Sequence, residues 1–365
     1  MKFKLPLFVF TFIYAHFLYS QSTLKPLVEA KKGMVVTTHP LASQIGLSIL
    51  QKGGNAIDAA IAVNFALAVC HPSAGNIGGG GFLVYRNAKG KVYALDYREK
   101  APLASTKNMY LDSSGNIIPE KSFVGVFSVG VPGTVAGMEE MHRKFGFLPW
   151  KELIQPAIDL ARHGHALTSR EARGLNANRL DFLRENKGNS YLINSYNIDW
   201  QKDDILIQED LANTLERILH DKSKGFYHGK TAELLISEMK RLNGIITQAD
   251  LDSYKPVWRK PIVQSYKNFH IIGMPPPSSG GVALAQLMGM VRNYPVKKWG
   301  ASSDSTVQLM IESERRVFAD RAKWLGDPDF IKVPVKPLLD TTYIKSRISS
   351  MDFYYLDLSI LKVDP

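Results

Sequence analysis

The chain has 365 residues, 45% of them apolar and 22% charged, enough to build one large domain or two small ones and too apolar for a disordered chain. Its formal charge of +11 falls to +9 if Lys2 and Lys4 leave with the N-terminal segment. The basic residues that remain are scattered among acids, with Lys31-Lys32 and Lys297-Lys298 as isolated pairs, so no basic stripe with interleaved aromatics points to nucleic acid.

At the start, Lys2 and Lys4 precede an apolar run over 5–18 that lacks any carboxylate, and Tyr19, Ser20 and Gln21 then turn polar. The pattern reads as a signal peptide over 1–20. The run is short for a membrane anchor, which needs roughly 20 apolar residues, and Pro6 and His16 weaken it further. No membrane span is expected once the leader is removed, and the protein is expected to be periplasmic or secreted. Cys70 is the only cysteine, so no intrachain disulfide can form.

Next, residues 34–37 form a β-branched run that predicts a strand, and 41–50 carry helical apolar spacing that ends at Gly53-Gly54. Asn55 is placed to cap a second helix with Asp58 in its first turn, and the small, apolar stretch 59–69 predicts burial on most sides. Strands are predicted at 82–86 and 92–97 around a turn at 88–90, then helices from Pro132 to near Gly146 and over 150–161, 211–219 and 231–242. A strand-like stretch over 261–272 precedes a proline and glycine loop at 275–281, and helical patterns follow at 282–291 and 306–324. The fold class is α+β, or a layered α/β/β/α arrangement, with a mostly helical middle and C-terminal portion.

The glycine run Gly78 to Gly81 follows a helix and precedes a strand, the reverse of what a dinucleotide fingerprint or a P-loop requires. Close backbone approach is the better reading. His163 and His165 lack a flanking carboxylate or cysteine cluster, and Glu139 with His142 lacks a second such pair, so no metal or other cofactor is expected. Ser278-Ser279 lacks a strand-turn-helix elbow and reads as a turn device. Arg98, at the end of a predicted strand in DYREKAP (96–102), has two readings: a bidentate grip on a substrate carboxylate, or a structural ion pair with Asp96 or Glu99.

Seven segments together resemble the gamma-glutamyltransferase family in order: GMVVTTHPLAS (33–43), GGNAIDAA (53–60), GNIGGGGF (75–82), DYREKAP (96–102), VGVPG (129–133), PPPSSGG (275–281) and DRAKWLGDPDF (320–330). The resemblance covers about residues 30–351, and 21–351 is assigned as the large-subunit region. It implies an N-terminal-nucleophile hydrolase with an αββα sandwich, of which this chain is the large-subunit part. It also implies a precursor that cuts itself before a threonine, which then attacks the γ-glutamyl amide of compounds such as glutathione and passes the acyl group to water, an amino acid or a peptide. Arg98 is thereby assigned to the glutamyl α-carboxylate.

In the family the nucleophile lies in a Thr-Thr-His-aromatic-Ser segment beyond the GDPDF landmark. Thr37-Thr38-His39 is followed by Pro40 and belongs to the early motif, and Thr341-Thr342 is followed by Tyr343, so no catalytic residue is assigned. The tail 352–365, DFYYLDLSILKVDP, departs from the family pattern, as a frameshift, an early stop or a split gene would produce. The chain alone is expected to be inactive, to expose apolar surface, and to need the small subunit as its partner. The alternatives are a noncatalytic periplasmic binding relative and a cephalosporin acylase or poly-γ-glutamate hydrolase relative.

Overall fold

The computed structural model describes residues 28–186, 190–194, 196, 198–349 and 351. The leader expected at 1–20 and the divergent tail expected at 352–365 lie outside the described residues.

Residues 34–37 are not a strand, contrary to the expectation from their β-branched side chains. A β-branched run becomes a strand only where a neighbour supplies the ladder, and among the described residues this one has none, with Val36 left 81% exposed. Helix α1 (Pro40–Gln51) begins at His39, whose Nδ1 accepts the Leu41 amide at 3.2 Å, with proline at the first helical position where its missing N–H is not needed. Helix α2 (Ala56–Cys70) is capped as the sequence predicts: Asn55 Oδ1 accepts the Ile57 and Asp58 amides, and Asp58 Oδ2 accepts the Asn55 amide. Asp58 is fully buried and tolerated there because its oxygens also accept the Phe147 and Leu148 amides. One carboxylate therefore fixes where the helix starts and which loop packs on it.

Strands β1 (Phe82–Arg86) and β2 (Val92–Asp96) pair antiparallel, Phe82 opposite Asp96. Helices α3 (Thr134–Phe145) and α4 (Trp150–His163) follow, then the two-residue strand β3 (His165–Ala166) and helices α5 (Ser169–Ala177) and α6 (Arg179–Glu185). Strand β4 (Ile205–Leu206) pairs with β3 and leads into α7 (Glu209–Asp221), α8 (Lys224–Tyr227), α9 (Gly229–Arg241) and α10 (Gln248–Ser253). Strand β5 (Val257–Arg259) then returns to β2, giving the sheet order β1-β2-β5.

The strand-like stretch 261–272 is in fact a hairpin of β6 (Ile262–Tyr266) and β7 (Phe269–Gly273), because Lys267 takes φ 50° and turns the chain back on itself. The last helices are α11 (Gly280–Val291), α12 (Val296–Trp299), α13 (Asp304–Trp324), α14 (Val335–Leu338) and α15 (Thr341–Ile348). The main core gathers around α2, α3, α4 and α7, where Phe65 meets Trp150 edge to face and Trp150 Nε1 donates to the Ile218 carbonyl. The fold is α+β, helix-rich after β2, with small antiparallel sheets.

Candidate functional site

At the end of β2 the chain leaves the sheet but not its hydrogen bonds. Tyr97 and Gly81 exchange N–H···O bonds of 3.0 and 3.3 Å, extending the β1–β2 ladder by one pair, and Lys100 and Val131 exchange two more at 3.2 and 2.7 Å. Arg98 and Glu99 therefore lie on a stretch fixed at both ends. Gly80 and Gly133 permit this crowding: a Cβ on Gly80 would sit 2.6 Å from the Glu99 nitrogen, and one on Gly133 would sit 2.1 Å from the Tyr254 hydroxyl and the Tyr97 carbonyl. Within the glycine run it is Gly80 that approaches backbone closely, while Gly81 lies against the Tyr97 ring and Gly78 has open space around it. The Gly79 carbonyl accepts the Gly133 and Thr134 amides at the start of α3.

An open cleft of about 420 Å³ lies between these segments, with Gly78, Arg98, Glu99, Lys100, Val129 and Gly130 among its lining. Arg98 is exposed in it. Of the two readings left open by the sequence, the ion pair with Asp96 or Glu99 is not formed. Asp96 is buried, with Oδ1 accepting the Arg98 backbone amide at 3.1 Å and Oδ2 accepting Arg259 Nε at 2.8 Å. The rest of the Arg259 fork holds both oxygens of Asp329, in the GDPDF segment, at 2.8 Å each. Hydrogen bonding to Arg259 holds the Asp329 carboxyl below the usual carboxylate range. Among the described residues no carboxylate lies within ion-pair distance of the Arg98 guanidinium, although Glu99 lines the same cleft, to which Lys100 adds a second cation.

The backbone of Arg98 is held on its other side too, where its carbonyl accepts the Tyr254 hydroxyl at 2.8 Å. The sequence reading missed Tyr254 and Arg259. The signal available for Arg259 was the Val-Trp-Arg run between Pro256 and Pro261, which could have been read as a short strand. Nothing local marks Tyr254, whose partner is 156 residues away.

The residues set aside in the sequence have structural positions. Thr37 Oγ1 donates to the His39 carbonyl at 2.7 Å and accepts the His39 amide at 3.2 Å, so Thr37 and His39 together organise the start of α1. The Ser278 amide donates to the Pro275 carbonyl in a turn, and Ser279 Oγ accepts Arg321 Nε at 3.0 Å. His165 is buried on β3 beside His39, with ring centroids 6.0 Å apart, and Glu171 Oε1 approaches His39 Nε2 to 2.9 Å. No group of three or more His, Cys, Asp or Glu among the described residues is arranged to hold a metal. Burial pushes the lone Cys70 thiol up to about 11, which keeps it protonated and inert.

The description of gamma-glutamyltranspeptidases as a family matches residues 42–354, most of the chain. The chain belongs to the gamma-glutamyltranspeptidase family. It is 46% identical over 316 residues to the glutathione hydrolase proenzyme of Pseudomonas sp. (strain A14), covering 87% of this chain and 55% of that protein. It is 41% identical to the glutathione hydrolase proenzyme of Escherichia coli (strain K12), covering 89% of this chain and 56% of that one. The chain thus spans about half the length of the curated relatives it matches. The crystal structure of Helicobacter pylori gamma-glutamyltranspeptidase superposes with a TM-score of 0.89 at 45% identity, over 92% of this chain and 96% of that chain. For this gamma-glutamyltranspeptidase family member, the fold expected from the resemblance is therefore the fold observed.

Proposed function

We propose that this chain is the large-subunit part of a gamma-glutamyltransferase that cleaves the γ-glutamyl amide of glutathione-like compounds and passes the glutamyl group to water, an amino acid or a peptide. The observation that carries this reading is Arg98, exposed in a cleft, pinned through its backbone and without an ion-pair partner among the described residues. A guanidinium that no protein carboxylate pairs is ready to take one from a ligand in two parallel hydrogen bonds, and a lysine cannot reproduce that fork. Arg98 binds and orients without reacting, placing the amide carbon where a nucleophile can reach it. Both curated relatives named above are glutathione hydrolases, which favours the γ-glutamyl amide over a cephalosporin side chain as the substrate.

The nucleophile belongs to a Thr-Thr-His-aromatic-Ser segment that this sequence does not contain, and the relatives' description as proenzymes fits a second subunit formed by self-cleavage. That subunit would complete the site and cover apolar side chains such as Phe318 and Phe330, which are exposed here. Export by the N-terminal leader, to the periplasm or outside the cell, belongs to the same proposal. Titration calorimetry with L-glutamate tests the clamp: Arg98→Ala should abolish the heat of binding and Arg98→Lys should weaken it. Equal binding by the parent chain and Arg98→Ala would overturn the assignment. The chain by itself should release no chromophore from a γ-glutamyl anilide.

A further inference from the structure

Two tyrosines that the sequence does not connect to the cleft hold its two walls. Tyr254 donates its hydroxyl to the Arg98 carbonyl at 2.8 Å, and Tyr227 donates its own to the Pro132 carbonyl at 2.7 Å. The two rings are stacked, with centroids 5.9 Å apart and planes 6° from parallel. Pro132 follows Gly130 and Val131, the segment facing Arg98 across the cleft, so one aromatic pair fixes both sides. Burial pushes both phenols well above their usual range, which keeps each hydroxyl a proton donor.

We propose that Tyr254 and Tyr227 are positioning residues: their stacked rings set the spacing of the cleft, and their hydroxyls fix the peptide planes that aim the Arg98 guanidinium. The proposal rests on the carboxylate clamp reading of Arg98. An arginine side chain reaches roughly 6–7 Å from its backbone, so a 20° rotation of the peptide that follows Arg98 can carry its tip by about 2 Å, beyond the tolerance of a bidentate grip. The Arg98 amide is anchored independently by Asp96, so loss of the Tyr254 hydroxyl leaves one end of the residue held and the other free to turn. The Gly133 crowding shows how closely Tyr254 fits: its hydroxyl lies 2.1 Å from where a Cβ on that glycine would be.

The test uses the full chain and labels Arg98 with phenylglyoxal, reading the rate from the mass of the peptide that contains it. L-glutamate is titrated as protectant, and 4-aminobutanoate, which lacks the α-carboxylate, is the comparison. In the parent chain L-glutamate should protect Arg98 and 4-aminobutanoate should not. Tyr254→Phe keeps the ring stack and removes only the hydroxyl. It should raise the L-glutamate concentration needed for protection by about tenfold, with the melting temperature within a few degrees of the parent. Tyr227→Phe should do the same to a smaller extent. Absence of protection in the parent chain would overturn the clamp reading itself. Protection unchanged in Tyr254→Phe would overturn the positioning role and leave the clamp standing. Loss of the fold in both variants would assign the tyrosines to the core and equally overturn the proposal.

Discussion

The chain packs its two ends by different means. Around α2, α3, α4 and α7, large side chains such as Phe65, Leu153, Ile154 and Met138 are fully buried, and polar groups that enter with them, such as Asp58, find backbone donors. In the C-terminal part, β6, β7 and α11 to α15 share only small clusters, among them Ile262, Val282, Ala285 and Leu338. There α13 presents Val307, Ile311 and Phe318 to solvent, spaced four and seven residues apart along one face. The contrast separates two requirements on an apolar residue: in the first region it closes a core, and in the second it leaves a face that the rest of the chain, as described, does not cover.

Truncating Phe65 tests the first half of that contrast and should have the largest effect. Its ring is completely buried and meets Trp150 at 5.9 Å edge to face, within the main core. Phe65→Ala should destabilise the chain by about 3–5 kcal/mol in urea unfolding. A loss below about 1 kcal/mol would mean that the core is loosely packed and that the two regions do not differ as described.

How much of this was legible in the sequence follows from the distance each feature spans. The Asn55 cap with Asp58 depends on neighbours within a few residues, and the buried character of α2 on its own run of small apolar side chains, and both are where the pattern placed them. Arg98 was legible as a candidate, but not that one of its two possible ion-pair partners, Asp96, is taken by Arg259. That contact spans 163 residues, and the Tyr254 contact 156, so no local periodicity encodes either. The run at 34–37 failed as a strand for a related reason: side-chain propensity is local, but a ladder needs a second strand. The β6–β7 turn was missed because Lys267 supplies the positive φ where glycine or asparagine would have announced it.

A smaller effect is expected from acid at the edge of the first region. Burial holds the His165 imidazole below its usual value near 6.5, with Glu171 opposing that shift and His39 reinforcing it. Burial alone would raise the Glu171 carboxyl, but the Thr168 amide and hydroxyl, with His39 and His165, hold it below its usual range. For both groups the unfolded chain binds protons more readily than the folded one. Their contribution is therefore present at neutral pH, begins to fall as pH drops through about 6.5, and falls further below about 4.5. Melting temperatures between pH 7.5 and 5 should decline more for the parent chain than for His165→Phe. Parallel curves would show that His165 is not the group responsible.

The smallest effect tests the second half of the contrast. Phe318 is 57% exposed on α13, with the Arg321 guanidinium 6.0 Å from its ring centroid. Phenylalanine and serine have similar helix propensities, so Phe318→Ser changes neither the helix nor a core, and urea unfolding should move by no more than about 0.5 kcal/mol. The same substitution removes apolar area from an uncovered face, so self-association at high protein concentration should decrease in sedimentation velocity. The two readings must move independently. A stability loss of about 2 kcal/mol would mean that Phe318 packs in the chain's own interior, and unchanged association would mean that α13 is not the face through which copies meet.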